Sequence, residues 1–99
     1  MKKFDGVIEA VHYQDGKIVS VRAFERRVAA FTDRIILPRE ELVRRLQSGK
    51  IFVTGRRKEY LAGTFETGPA VQAVPRNGSI FLATRPDATQ DELEGVPLF

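Results

Sequence analysis

Two Gly-containing dipeptides constrain the fold of this chain more than any other feature. Asp15-Gly16 lies inside "VIEAVHYQDGKIVSVRAF", and Asn77-Gly78 lies inside "AVQAVPRNGSIFLAT", each between two runs rich in β-branched and apolar residues. Such pairs favour a two-residue turn in which both central residues have positive φ, the typical connection of a β-hairpin. The sequence therefore predicts two hairpins, one near each end of the chain.

The first turn also predicts which residues face each other across its hairpin. Counting outward from Asp15-Gly16 places Tyr13 opposite Ile18 and Glu9 opposite Arg22, so that opposite charges meet across the strands. An uninterrupted alternation then puts three residues of the first strand on one face: Ile8, Ala10 and His12.

The second turn predicts a hairpin with two apolar faces. Asn77-Gly78 sets Val74 opposite Phe81 and Ala73 opposite Leu82. Because neither face is polar, we expect these strands to close the main sheet, in a central position or covered on both sides.

The segment "TDRIILPREELVRRLQSGK" predicts a short strand followed by one helix over about residues 38–48. Pro38 suits the first helical turn, and Gly49 suits the position after the last turn. Leu42, Val43 and Leu46 form an apolar stripe that would pack across the sheet. Two pairs of opposite charge lie four residues apart on the outside of this helix: Glu40–Arg44 and Glu41–Arg45.

Three further strands are predicted at "IFVTG", "TFETG" and "AVQAV", with "RRKEYLAG" as a loop or bulged connection. Together these elements predict an α+β fold, a mostly antiparallel bent sheet or small partly open barrel of about six or seven short strands with one helix. The length of 99 residues fits a single small domain over 1–99.

The last residues combine charge with large apolar side chains. "DELEGVPLF" carries three carboxylates and then Val96, Pro97, Leu98 and Phe99. We expect residues 86–99 to dock on the domain as a C-terminal tail, with Phe99 or Leu98 filling a groove beside the sheet. The alternative is that this tail binds another chain.

The charge is distributed unevenly along the chain. The net charge is +3, but residues 17–58 hold twelve Lys or Arg against four Asp or Glu, and the remainder is acidic. A basic segment of this kind indicates an anionic partner or a surface that the acidic tail covers. The candidate contacts to an anionic partner are the basic clusters and one nearby aromatic residue: Arg26, Arg27, Arg44, Arg45, Arg56, Arg57, Lys58 and Tyr60.

No group of residues predicts a reaction. The chain has no cysteine, and His12 is its one histidine, which favours an ordinary half-buried residue over a metal ligand or a general base. We therefore expect no enzyme activity, no metal and no cofactor. The sequence also lacks a long apolar run and a signal-peptide pattern, so we expect a cytoplasmic location and no membrane contact.

Both ends of the chain resemble a family of short bacterial proteins of unknown function. "IEAVHYQDGKIVSVRA" is similar to the strand, Gly-containing turn and second strand with which that family begins. "FLATRPDATQDELEGVPLF" is similar to its ending, a Thr-x-Pro-Asp step followed by a terminal Leu-x-x-Leu-Pro-x-Phe. Val96 stands in place of the usual Leu, Glu92 stands where Asn is common, and residues 26–70 form a longer middle. The resemblance implies a self-contained domain with an ordered tail, and no particular chemistry.

Two functions are compatible with these patterns. The first is a small non-enzymatic interaction or structural module, whose partner is another protein or a second copy of the chain. The second is a nucleic-acid-binding domain that uses the basic segment 17–58.

Overall fold

The computed structural model describes residues 4–27, 30–32, 34–57, 65–76, 78–88, 90–93 and 95–99. Its first elements are the strands β1 (Gly6–Gln14), β2 (Lys17–Arg27), β3 (Ala30–Phe31) and β4 (Ile35–Pro38), followed by the helix α1 (Arg39–Gln47). The strands β5 (Phe52–Arg57), β6 (Phe65–Ala70), β7 (Gln72–Arg76) and β8 (Ser79–Ala83) complete the set. The predicted α+β class and the predicted helix are confirmed.

Strand β1 lies in the middle of a six-stranded sheet. It pairs antiparallel with β2 and parallel with β5, β2 also pairs with β3 and β4, and β5 also pairs with β6. The parallel pair arises because the chain between β2 and β5 contains α1, which provides the crossover that parallel neighbours need. The described strands run in the order β3-β2-β1-β5-β6 without β3 pairing to β6, so they do not form a closed barrel.

The second hairpin has the predicted register but a different position. Val74 lies opposite Phe81 and Ala73 lies opposite Leu82, as the turn predicts. However, β7 and β8 form a separate two-stranded sheet, so the prediction that this hairpin closes the main sheet is wrong. Val74 and Leu82 are buried, which indicates that the hairpin is held by packing its apolar side chains rather than by strand pairing to the main sheet.

The first hairpin contains two irregularities that cancel. The pairing passes from Tyr13–Ile18 to His12–Ser20, which leaves Val19 as an extra residue in β2. Further along, Glu9 is an extra residue in β1, and the register returns to the predicted one. The predicted pairing is therefore confirmed at both ends of the hairpin and wrong in its middle.

These bulges change which side chains face the core. They place Ile8 and Val11 of β1, and Ile18 and Val21 of β2, in one buried cluster, although a strict alternation would separate each pair. Because Val11 lies on the core face, its neighbour His12 lies on the opposite face and is exposed. The prediction that His12 shares a face with Ile8 is therefore wrong.

The core lies between the sheet, α1, the second hairpin and the tail at Leu93. Leu42 of α1 is completely buried, as its place in the predicted stripe requires. Among the described residues, the buried core cluster has eleven members: Ile8, Val11, Ile18, Val21, Ala23, Leu37, Leu42, Phe52, Val71, Leu82 and Leu93.

The opposite side of the six-stranded sheet, called the outer face below, carries alternate residues of β2. Val21 and Ala23 point into the core, so Arg22, Phe24 and Arg26 lie on the outer face. Aromatic rings cluster there around one end of β2, with centroid separations of 4.8 to 6.3 Å. The four rings are Phe4, Phe24, Phe31 and Phe65.

The two hairpin turns provide a first prediction. Gly16 and Gly78 have φ of +77° and +81°, and an added Cβ would meet no atom within 4 Å at either position. A valine at either position would therefore be destabilising because of backbone strain and not because of a steric clash. Each substitution should lower the free energy of unfolding by about 1–2 kcal/mol, as measured by urea unfolding. Gly16→Asn and Gly78→Asn are the controls and should cost less, since asparagine tolerates positive φ. Equal losses for valine and asparagine would contradict the role of positive φ.

Candidate interaction face

The tail lies along β1 as a short extra strand. The Val11 N–H donates to the Pro97 carbonyl at 2.9 Å, and the Phe99 N–H donates to the Val11 carbonyl at 3.1 Å. Leu98 thus forms a parallel bridge with Val11, beyond the stretch Gly6–Ile8 that pairs with β5. One edge of β1 is therefore shared between β5 and the tail.

The last two side chains of the tail are more exposed than predicted. Leu98 is 72% exposed and Phe99 is 39% exposed, so the prediction that one of them fills a groove is wrong. Val96 instead packs against the core cluster, and Pro97 contributes its carbonyl to the pairing with β1. The backbone hydrogen bonds and Val96 hold the tail, which leaves the side chains of Leu98 and Phe99 at the surface.

An ion pair fixes the tail at Asp91, ahead of the residues that pair with β1. The Asp91 side chain is only 1% exposed, and it accepts hydrogen bonds from the backbone N–H groups of Ile18 at 2.7 Å and Leu82 at 2.9 Å. The Arg39 guanidinium also pairs with this carboxylate. Arg39 donates in addition to the carbonyls of Ile18 at 2.8 Å and Ile80 at 2.6 Å. This group therefore joins β2, α1 and β8 to the tail at Asp91.

The environment of Asp91 decides its protonation. Burial alone would raise the pKa of this carboxyl group, but the hydrogen bonds from Arg39, Ile18 and Leu82 outweigh burial and hold the pKa below its ordinary value. Asp91 therefore remains a carboxylate wherever the fold is intact at neutral pH. The hydrogen bonds identify a structural role for it.

The docked tail brings Phe99 to the outer face. The His12 ring N–H at Nδ1 donates to the backbone oxygen of Phe99 at 2.7 Å, and the two rings lie 5.8 Å apart. The Arg22 guanidinium lies 5.2 Å from the centroid of the Phe99 ring. The Nε of Arg22 donates to the Glu9 carboxylate at 2.9 Å, so the predicted ion pair forms. The predicted position of Glu9 directly opposite Arg22 is wrong, because Ala10 occupies it.

Two further arginines on the outer face are held in the same way. Arg26 lies 4.7 Å from the ring centroid of Phe31, and its Nε donates to the Phe4 carbonyl at 3.1 Å. Arg34 lies 5.5 Å from the ring centroid of Phe24, and its Nε donates to Glu9. Contacts of this kind between a guanidinium and an aromatic face are attractive.

Arg22, Arg26 and Arg34 are called the outer-face arginines below. Each donates one hydrogen bond through Nε, and within the described part of the chain their terminal nitrogens have no hydrogen-bond partner. A guanidinium has five N–H donors, so four remain on each side chain. A planar pair of N–H groups of this kind matches the oxygens of a phosphate or a carboxylate.

The other candidate contacts do not gather on this face. Arg45 pairs with Glu25 and with Glu41, and Arg44 pairs with Glu41 rather than with Glu40. Arg56 pairs with Glu66 at 2.6 Å. Arg56 and Arg57 belong to β5, so the prediction that they lie in a loop is wrong. The side chains of Arg27 and Arg57, and all of Lys58 and Tyr60, lie outside the described residues.

Of the eight predicted basic and aromatic contacts, Arg26 belongs to the candidate face, whereas Arg22 and Arg34 were missed. The alternation of Arg22, Phe24 and Arg26 in β2 was a usable signal, because residues two apart in a strand share a face. Arg34 and Phe99 gave no such signal, since they reach the face from distant parts of the chain.

Comparisons with known proteins provide no further guide. No protein-family model, no curated protein and no solved structure matches this chain. Among the described residues, no helix has the length and apolar character needed to cross a membrane, and no three His, Asp or Glu side chains are grouped to hold a metal ion.

The ion pair of Asp91 provides a second prediction. Asp91→Asn should lower the free energy of unfolding at pH 7 by about 3 kcal/mol, the lower end of the range for breaking a buried pair, because Arg39 is still 25% exposed. The folded-state pKa of Asp91 lies below its ordinary value of 3.8, so the pair stabilises the fold fully above that pH, and this contribution is lost as the pH falls through the folded-state pKa.

Urea unfolding between pH 2 and pH 7 measures this difference. The gap between the wild type and Asp91→Asn should narrow as the pH falls below about 4. Asp87→Asn is the control, since the Asp87 side chain is 79% exposed, and its unfolding should follow the wild type. A gap that stays constant down to pH 2 would contradict the assignment.

The tail provides a third prediction. Val96→Ser should lower the free energy of unfolding by about 1–2 kcal/mol, because it removes a half-buried apolar side chain from the core cluster. Leu98→Ser should change it by less than about 0.5 kcal/mol, because that side chain is already exposed. Thermal or urea unfolding of the two variants compares them directly, and a larger loss for Leu98→Ser would show that the tail docks through Leu98 rather than through Val96.

Proposed function

We propose that this protein is a small non-enzymatic interaction module that binds an anionic partner on its outer face. The observation that carries the proposal is the common geometry of Arg22, Arg26 and Arg34. Each guanidinium is held over an aromatic ring and fixed through Nε, while its terminal N–H groups are unpaired among the described residues.

This arrangement reduces the entropic cost of binding. A free arginine side chain loses rotamer freedom when it is immobilised in an interface, at a cost of about 0.5–1.5 kcal/mol. The outer-face arginines have lost part of that freedom already, because a ring and an acceptor position each of them. A partner that binds them therefore has less ordering entropy to offset.

The charge of the face supports an anion as that partner. Arg22 and Arg34 share one carboxylate, that of Glu9, and Arg26 donates to a neutral carbonyl. The group therefore retains a positive charge, unlike Arg45, which contacts two carboxylates. An anionic partner gains attraction and a faster encounter from such a face.

The proposal includes the predicted domain extent, location and lack of a cofactor. The protein acts as a single domain over 1–99 with the tail at 86–99, in the cytoplasm and with no cofactor. Ile36 lies opposite Arg22 on the outer face and is exposed, as is Leu98 on the tail, so a protein surface or a second copy of the chain is the alternative occupant.

A charge-matched pair of variants tests the proposal. The first combines Arg26→Gln with Arg22→Lys and Arg34→Lys, which keeps a positive charge beside Glu9 but removes the planar donors and their stacking. The control combines Arg44→Gln with Arg56→Lys and Arg85→Lys, three arginines that lie in ion pairs elsewhere. Both variants have the same net charge.

The readout is the salt concentration that elutes each protein from a phosphate-bearing resin, with folding checked by thermal unfolding. The outer-face variant should elute at lower salt than the wild type, and the control should elute with the wild type. Equal elution of the two variants would overturn the proposal, because the retention would then depend on net charge alone. Sedimentation at several concentrations identifies self-association, the result expected for the alternative occupant.

A further inference from the structure

We propose that the anionic partner of the outer face is a single-stranded nucleic acid, an inference that rests on the proposed function above. The chemistry needed is a row of oxyanions next to a flat apolar group, because the face presents guanidinium donors and, against Arg22, the exposed ring of Phe99. A single-stranded nucleic acid provides both, with phosphates along its backbone and unpaired bases beside them.

The spacing along β2 suits an extended polymer. Arg22 and Arg26 are four residues apart in one strand, so they lie roughly 13 Å apart on the same face. Arg34 precedes β4, which pairs with β2. Its guanidinium lies over the ring of Phe24, and Phe24 lies between Arg22 and Arg26 in β2. The donors therefore form a row along the sheet, which suits a chain of repeated charges better than one compact anion.

The exposed Phe99 ring and the guanidinium planes make stacking available on this face, whereas Phe24 is completely buried. Phe99 is 39% exposed and lies against Arg22, on the same face as the exposed His12. Unpaired bases stack on aromatic side chains and on guanidinium planes, whatever their sequence. An acidic peptide would use the charges of this face but would gain little from its rings.

A duplex fits the face less well. Its bases are stacked on one another and are read through the grooves, which usually admit an inserted helix or a β-ribbon. The described helix α1 packs on the other side of the sheet, where Leu42 is fully buried. The outer face is a sheet surface, so it can contact the phosphates of a duplex but has no described helix to enter a groove.

The tail completes this site. Phe99 reaches Arg22 only because the backbone of the tail pairs with Val11 and because His12 holds the Phe99 oxygen. The tail is thus a positioning element for a stacking residue. Its removal would leave Arg22 with its carboxylate partner but without its ring.

Fluorescence anisotropy with labelled oligonucleotides tests the inference on the full chain. The probes are a single-stranded DNA, a single-stranded RNA and a DNA duplex of the same length, with inorganic polyphosphate and poly-glutamate as competitors. The single strands should bind more tightly than the duplex. Their log–log dependence of affinity on salt should have a slope near −2, since about 0.7 ions are released per contacted phosphate and three arginines take part.

A tail variant separates stacking from charge. Phe99→Leu should lower the affinity for single strands by about fivefold or more, the smallest loss expected for one stacked base. It should weaken the competition by polyphosphate less, because polyphosphate has no base to stack and loses only the positioning of Arg22. Leu98→Ser is the matched control on the neighbouring exposed residue and should bind as the wild type does.

The remaining outcomes distinguish the two proposals. Binding of polyphosphate without preference for single strands, or binding that poly-glutamate displaces equally well, would overturn the nucleic-acid inference and leave the anion-binding face intact. Unchanged single-strand affinity of Phe99→Leu would also overturn the inference. Failure of every polyanion to bind at micromolar protein would overturn both proposals.

Discussion

The buried pair of Arg39 and Asp91 is the interaction on which the rest of this structure depends. One carboxylate satisfies the backbone N–H groups of Ile18 and Leu82, and one guanidinium satisfies two carbonyls, so the pair leaves few polar groups unmatched. A buried ion pair stabilises a fold only when such additional hydrogen bonds offset its loss of hydration. Here they also tie two separate sheets and the helix to the tail.

The position of the tail also depends on this ion pair. Asp91 holds the chain at Ile18 of β2, and the Leu93 N–H donates to the Tyr13 hydroxyl of β1 at 3.2 Å. The residues that follow therefore lie next to β1 and can continue as a strand along that edge. The pairing with Val11 then decides that Leu98 faces one way and Phe99 the other, since neighbouring residues of a strand alternate. The position of one aromatic ring on the outer face is therefore a consequence of an ion pair in the core.

Local signals account for what could be predicted from the sequence. Both turns contain a Gly at positive φ, and the helix begins after Pro38 and ends before Gly49, so the hairpins and α1 followed from a few residues each. The bulges at Glu9 and Val19 could not be predicted in this way, because they cancel and leave both ends of the hairpin in register. They reflect the packing of Val11 and Val21, which depends on the whole core.

The candidate site was less predictable because its parts are distant in sequence. Arg26 was identified from charge alone, but the rings that position the outer-face arginines come from Phe4 ahead of β1, from β2, from β3 and from the tail. Asp91 looked like one more acid in an acidic segment, since its partner Arg39 is 52 positions away. No spacing rule connects residues at such separations.

The contact between His12 and Phe99 has a consequence for the order of folding. It joins positions 87 apart, whereas each hairpin turn closes over two residues, and the entropy lost on closing a loop increases with its length. The hairpins are therefore expected to form early and the tail strand late. A chain that has formed its sheet and helix but not yet this last contact already has its core, and it acquires the complete outer face only in the final step.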